Sequence, residues 1–266
     1  MKLNASSGTA KTAPSIGRRR VRAVPAVTRA TAILRLLAQS DTPLRLQKIS
    51  EALDLFPSTC LHILRALVVE ELIAFDEDAK SYQLGVGLLS LSRKLLKRNE
   101  FANIVGDVLE TIAQRHGVTT IGIEVSKLDH VVVMAISRAK EPFHIHVDVG
   151  SRFPALVSAS GRCIAAFSDH DEDEIKARFK LVRWDRAPSY TQWQREVAVA
   201  RQQRFSVDSD QYIHGITVVS APVLHGPIVE NLLVVVGLTD RLQSKIGKIG
   251  RELVEQAALI ARRLND

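Results

Sequence analysis

The stretch "RLQKISEALDLFPSTCLHILRAL", residues 45–67, decides the fold of the first part of the chain. Ile49, Ala52 and Leu53 line one face of a short helix and Leu55 fills a turn. Pro57, Ser58 and Thr59 then open a second helix, with proline near N1 and hydroxyls able to cap free N–H groups. In that second helix Cys60, Ile63, Leu64 and Leu67 follow helical spacing and face a core, which leaves Ser58, Leu61, His62 and Arg65 together on the opposite face. A helix that presents hydroxyl, imidazole and guanidinium groups suits a DNA major groove. Working outward, Ala32, Ile33, Leu36 and Leu37 define a helix that starts at Thr28 and ends before Ser40. Leu72, Ile73 and Phe75 make a strand, Asp76 to Lys80 a tip, and Tyr82 with Leu84 the return strand. From Leu44 to Gly85 this is the pattern of a winged helix-turn-helix. Lys80 is the one cation of the tip, set against Asp76, Glu77 and Asp78, so any DNA contact it makes is local.

A length of 266 residues leaves room for a second domain, and 46% hydrophobic with 24% charged residues places the chain among ordinary globular proteins. No apolar run approaches the roughly 18 residues of a spanning helix, and no apolar segment follows the N-terminal basic residues, so the expected location is cytoplasmic. Cys60 and Cys163 fall in different expected domains and are read as reduced, packed thiols. The net charge of +7 is unevenly spread: residues 1–25 hold six basic side chains and no acid. Positive potential therefore gathers at the helix-turn-helix end, where it favours phosphate backbones. Residues 1–23 lack apolar periodicity and read as a disordered basic arm. Its Arg18-Arg19-Arg20 cluster fits a groove or phosphates, and a solubilising tail is the alternative.

Beyond the wing, Leu88, Leu91 and Leu95 form a stripe on a linker helix, suited to another chain or to the domain that follows, with packing inside the monomer as the alternative. Phe101 to Arg115 reads as a helix stopped by His116-Gly117. Three β-rich runs follow, "VTTIGIEVS", "HVVVMAIS" and "FHIHVDV". "SASGRCIAAF", Asp171 to Phe179 and Thr191 to Gln203 read as helices, Ile216 to Leu224 and Leu232 to Leu238 as strands, and Leu242 to Leu264 as a closing helix. Helices at both ends with antiparallel strands between them predict an α+β domain with one central sheet. His144 and His146 share a strand face at a spacing that can hold a metal, but no third ligand is evident, and a solvated strand face is the preferred reading. Cys163, at a helix start after Arg162, reads as an inert thiol; the competing reading makes it a nucleophile with His214 or His225. Trp184 and Trp193 fall in a polar connection and are read as covers for the sheet.

Taken in order, "VTRATAILRLL", "STCLHIL", "YQLGVGLLSL", "GSRFPALVSASGRCIAAF" and "FSVDSDQYIHGITVVSAPV" resemble the IclR family of bacterial transcriptional regulators from about Val24 to the C-terminus. The resemblance implies a winged helix-turn-helix domain at 24–85, a linker helix at 86–99 and a GAF-like effector-binding domain at 100–266. It implies a DNA operator and a small organic acid as partners, a homodimer or dimer of dimers, no cofactor and no catalytic residue. The implied DNA-binding positions are Arg29, Arg45, Gln47, Ser58, Thr59, Leu61, His62, Arg65 and Lys80. The implied effector positions are Phe153, Ser158, Ala159, Ser160, Asp208, Val218, Val234 and Val236.

Departures from the family pattern carry information. His62 stands where arginine is usual, Arg162 where lysine is usual, Gln211 in place of an acid, and Arg45 where a serine or threonine would cap the helix. Val218, Val234 and Val236 occupy positions that often hold cysteine or serine, so a larger or more apolar acid, an aromatic one included, fits better than a two- or three-carbon oxoacid. Plain core packing of those valines is the alternative. A rival from another class is a small-molecule enzyme on the GAF-like domain with a vestigial DNA-binding module, against which the basic arm and polar recognition face argue.

Overall fold

The computed structural model describes residues 24–126, 128–139, 147–224, 226 and 228–265, without the side chains of 94–98. The basic arm at 1–23 lies outside the described residues. Two units, Met1–Leu96 and Lys97–Asp266, are built on separate cores.

In the first unit α1 (Pro25–Ala38), β1 (Leu44–Arg45), α2 (Leu46–Ala52), α3 (Pro57–Val69), β2 (Ile73–Asp76) and β3 (Ser81–Leu84) follow the expected order. The strands form an antiparallel sheet in the order β1-β3-β2. Ile33, Leu37, Ile49, Cys60, Leu64, Leu67, Ile73 and Tyr82 make the core, so the helical spacing in α3 does select its buried face. Local details differ from the sequence reading. Pro25 at the start of α1 fixes a helical φ, so the helix begins ahead of Thr28. Ala52 faces water and Ser50 is buried in its place, its hydroxyl donating to the Gln47 carbonyl at 2.9 Å. Phe56, not Ser58 or Thr59, is the N-cap of α3, and no side chain caps it. At the wing tip Asp76 Oδ1 accepts the N–H groups of Asp78 and Ala79, both at 2.9 Å, and Lys80 turns the chain at φ 51°. Helix α4 (Gly87–Arg98) follows, with Leu91 exposed and Leu95 beyond the described side chains.

The second unit contains α5 (Glu100–His116), β4 (Thr119–Ser126), β5 (His130–Arg138), β6 (Arg152–Pro154), α6 (Ser158–Ala166), α7 (Glu172–Phe179), α8 (Tyr190–Gln203), β7 (Ser206–Ser209), β8 (Ile216–Val223), β9 (Asn231–Leu238), α9 (Thr239–Leu242) and α10 (Ile246–Asn265). Its sheet is antiparallel throughout, in the order β6-β5-β4-β9-β8-β7. Alternation sends Leu233 and Val235 to the face covered by α5 and α10, and Leu232, Val234 and Val236 to the face covered by α6 and α8. Because both faces are covered, "NLLVVV" reads as a continuous apolar run.

The closing helix is broken at 243–245, so that Leu242 packs on Gly237 of β9 while Ile249 and Leu253 reach the core beside α5. Val147 to Val149 is not strand, and Gly150 turns the chain at φ 88° just beyond it. The remainder of that run, with His144 and His146, lies outside the described residues. Two edge strands that sequence reading missed, β6 and β7, are only three and four residues long. Trp193 is inside α8 and buried, with its ring 5.1 Å from Phe179. Among the described residues no single helix is long and apolar enough to cross a membrane.

One glycine carries a strict requirement. A Cβ on Gly161 would lie 2.2 Å from the Leu156 carbonyl carbon and 2.3 Å from its oxygen. These are backbone atoms that cannot swing aside. Gly161→Ala is therefore expected to destabilise the second unit by about 3 kcal/mol or more, measured by urea unfolding; an unchanged midpoint would show that the close approach is absent.

Candidate nucleic-acid face and candidate ligand cavity

On α3, Ser58, His62 and Arg65 are exposed at a spacing that aligns them along one side of the helix, with Thr59 and Leu61 half-buried at its margin. Arg45 is exposed at the N-cap of α2 and makes no capping bond. Gln47 is exposed and donates to Glu51 Oε1 at 2.8 Å, while Arg29 on α1 and Lys80 on the wing are exposed. The unit thus offers hydroxyl, imidazole, guanidinium and ammonium donors on α3 and the elements flanking it. Sequence reading passed over Phe56, which stands 82% exposed at the start of α3 and adds an apolar group beside the polar face. Burial pushes the Cys60 thiol above its ordinary pKa, in keeping with a packing role.

In the second unit, strand register builds a wall. Asp208 on β7 pairs with Val218 on β8, Val218 pairs with Val236 on β9, and Val234 pairs with Ile121 on β4. Above this wall lies a cavity of about 100 Å³ whose lining includes Phe153, Ser158, Ser160, Asp208, Val218, Val234 and Val236. Ala159 is the exception among the effector positions. It is fully buried away from the lining, and its carbonyl accepts the Ser206 hydroxyl at 2.5 Å. Sequence reading also missed Ile121, Ile123, Val131 and Val133 on β4 and β5, and Tyr212 with Ile213 after β7. The signal for the first four was present, as alternate residues of two apolar strands. Ser158 and Ser160 lie in the first turn of α6, as the helix expected for "SASGRCIAAF" implies, and Ser158 holds φ 53°.

Behind the cavity sits a buried ion network. The Arg162 side chain, 1% exposed, donates from Nε to Glu196 Oε2 at 2.7 Å, from Nη1 to the Ser158 carbonyl at 2.7 Å, and from Nη2 to Gln211 Oε1. Its Nη1 lies 3.6 Å from Asp208 Oδ2, and its guanidinium carbon 5.8 Å from the Trp184 ring centre. Asp208 Oδ1 accepts the N–H groups of Gln211 and Tyr212 at 3.1 and 3.3 Å. The family departures Arg162 and Gln211 are thus direct partners, a planar fork meeting a neutral acceptor. Burial, helped by the charges of Asp185 and Asp208, raises the Tyr212 pKa.

Cys163 lies in the second turn of α6, not at its start. It is fully buried, donates to the Ser220 carbonyl at 3.2 Å, and has its pKa raised to about 11 by burial. Among the described residues its hydrogen-bond partners are Ser206 and Ser220, and neither is a histidine. His214 is an exposed residue beside Asp210, and His225 lies outside the described residues. A protonated, enclosed thiol cannot serve as the nucleophile of the enzyme reading. A larger cleft of about 540 Å³ opens elsewhere in this unit, and the carboxylates Glu100, Glu124, Asp169 and Glu230 among its lining residues disfavour an anion there.

Replacing Arg162 with methionine would leave Glu196 and Asp208 without their shared cation. The expected loss is about 3–5 kcal/mol of unfolding free energy, with Arg162→Lys intermediate because one ammonium cannot meet every acceptor. Denaturant titration showing wild-type stability for the methionine variant would remove the network from any structural role.

Residues 26–77 match the family model of the IclR helix-turn-helix domain, and residues 93–262 match the bacterial transcriptional regulator IclR C-terminal model. The chain is 26% identical over 202 residues to the "Probable transcriptional regulator SauR" of Cupriavidus necator, covering 75% of this chain and 80% of that one. Among solved structures, an IclR transcriptional regulator from Alicyclobacillus acidocaldarius shares the fold with a TM-score of 0.76 at 24% identity, over 91% of this chain and 99% of that one. An IclR homologue from Microbacterium hydrocarbonoxydans, complexed with 4-hydroxybenzoate, does so with a TM-score of 0.72 at 19% identity, over 90% and 98% of the two chains. The matched models span most of the sequence: the chain belongs to the IclR family of bacterial transcriptional regulators and is a DNA-binding regulator.

Proposed function

We propose that the protein is a ligand-responsive regulator, acting in the cytoplasm as a homodimer or dimer of dimers, whose effector is a small organic acid with an apolar body. In this reading residues 24–85 bind the operator, 86–99 link the two units and 100–266 bind the effector, while the basic arm at 1–23 adds phosphate contacts. The observation that carries the effector half is the cavity over β8 and β9, lined by apolar residues apart from Ser158, Ser160, Asp208 and Tyr212. At about 100 Å³ it is smaller than the roughly 150 Å³ apolar cavity that holds benzene, so one ring or a short branched chain is the largest body it takes without wider opening. Binding of 4-hydroxybenzoate by the structurally similar homologue favours a single-ring acid. Such an effector would arise in catabolism, and its binding would shift the DNA affinity of the first unit by population shift.

The DNA half rests on the polar, exposed side of α3. Arg65→Ala is expected to weaken operator binding by about 1–3 kcal/mol, and the pair Ser58→Ala with Thr59→Ala to weaken it as well, because each removes donors able to reach base edges. Unchanged affinity for both in a gel-shift titration would mean that α3 does not read the operator.

For the effector half, a single-ring carboxylate such as 4-hydroxybenzoate at 100 times its Kd should stabilise the protein by about 2.7 kcal/mol, visible as a thermal shift, while pyruvate should not. Val234→Asp places a charge in the apolar wall and should abolish that shift with DNA binding retained. A normal response from this variant, or binding of pyruvate alone, would reject the apolar pocket.

A further inference from the structure

The cavity is apolar along its walls and polar at one end, and the polar end has a definite hydrogen-bonding sense. Asp208 is 2% exposed and Ser158 4% exposed, and both line the cavity. Among the described residues Asp208 Oδ2 and Ser158 Oγ make no hydrogen bond. The other carboxylate oxygen of Asp208, Oδ1, is already held by the Gln211 and Tyr212 N–H groups. Arg162 meets Oδ2 as an ion pair, with Nη1 3.6 Å away, and makes its hydrogen bonds to Glu196, the Ser158 carbonyl and Gln211 instead. A buried acceptor left in this state is unfavourable, and a donor brought in by a ligand is what relieves it.

On the reading that this cavity is the effector site, we propose that the effector presents a hydroxyl or phenolic O–H to Asp208 and Ser158, and that any carboxylate it carries lies away from that end. Arg162 Nη1 lies 2.7 Å from the Ser158 carbonyl and 3.6 Å from Asp208 Oδ2, which makes the two residues neighbours, and a ligand hydroxyl there would donate to Oδ2 and accept from the Ser158 hydroxyl. A carboxylate has only acceptors and would face Asp208 with like charge in a cavity whose other walls include Val218, Val234 and Val236. An ammonium group fits less well, because the Arg162 guanidinium already balances Asp208 from behind. The volume of about 100 Å³ restricts the body behind the hydroxyl to about one ring. This assigns the ligand's chemical class at its buried end, an alcohol or phenol.

The test uses the full-length protein with phenol, benzoate and toluene, three probes of one ring each that carry a donor, a carboxylate or neither. Isothermal titration should give phenol a Kd at least tenfold below that of benzoate and of toluene. Asp208→Asn keeps the oxygen that holds Gln211 and Tyr212 but can place an amide N–H at the cavity end. It should lower the preference for phenol over benzoate at least tenfold, and Ser158→Ala should weaken phenol while leaving toluene unchanged. The comparison of probes on the wild-type protein does not depend on either variant folding. Benzoate binding as tightly as phenol, with Val234→Asp blocking both, would overturn the donor proposal and leave the pocket standing. Ring compounds that fail to bind, or that bind Val234→Asp as well as wild type, would overturn the pocket reading and the donor proposal with it.

Discussion

The second unit depends on one buried cation. Arg162 enters from α6 and meets Glu196 of α8, Gln211 after β7 and the carbonyl that begins its own helix, with Asp208 of β7 at its flank. A guanidinium taken out of water is costly, and only a full set of acceptors offsets that cost. Every element that supplies an acceptor is therefore fixed relative to α6. Phe179, Trp184, Tyr190 and Trp193 pack on one another with ring centres 5.1 to 5.9 Å apart where they touch, and Trp184 brings this cluster to within 5.8 Å of the Arg162 guanidinium. The sheet supplies the floor and α6 the roof, but the network holds Asp208 and Ser158 at the same end of the cavity.

Legibility in the sequence followed the range of the interactions. The winged domain was readable because its determinants are local: an apolar residue every third or fourth position in α3, proline at the start of a helix, and short alternating strands. Where several local signals competed, the finer reading failed. Ser58 and Thr59 are good capping residues, yet Pro57 had already fixed the first helical position, so Phe56 became the cap. Ala52 has the right spacing to be buried, but α2 is only seven residues long and turns Ser50 inward instead.

The cavity was readable only in part, for a different reason. Val234 and Val236 announce a shared face by alternation, but which residues oppose them is a matter of strand register, set by pairings between segments far apart in sequence. Asp208 reaches the same wall through β7, an edge strand of four residues that carries no periodic signal of its own. Ile121, Ile123, Val131 and Val133 had the expected alternation and could have been proposed had the pairing of β4 with β9 been known. Arg162 gave a weak sign, the single charge in an otherwise small and apolar run, but its partners come from three later elements.

These observations converge on Asp208, whose two oxygens have different duties. Oδ1 secures the backbone at Gln211 and Tyr212, while Oδ2 makes no hydrogen bond among the described residues and lies 3.6 Å from the Arg162 guanidinium. Both Tyr212 and Ile213 line that cavity, so the segment anchored by Oδ1 forms part of its enclosure. A partner supplied to Oδ2 draws electron density from the same carboxylate that accepts the two N–H bonds and pairs with Arg162, and coupled hydrogen bonds in a low-dielectric site respond together. Occupancy of the cavity is thereby tied to the segment after β7 and, through Arg162, to α6 and α8. A ligand bound there as proposed would meet a charge already shared with α6, α8 and the segment after β7.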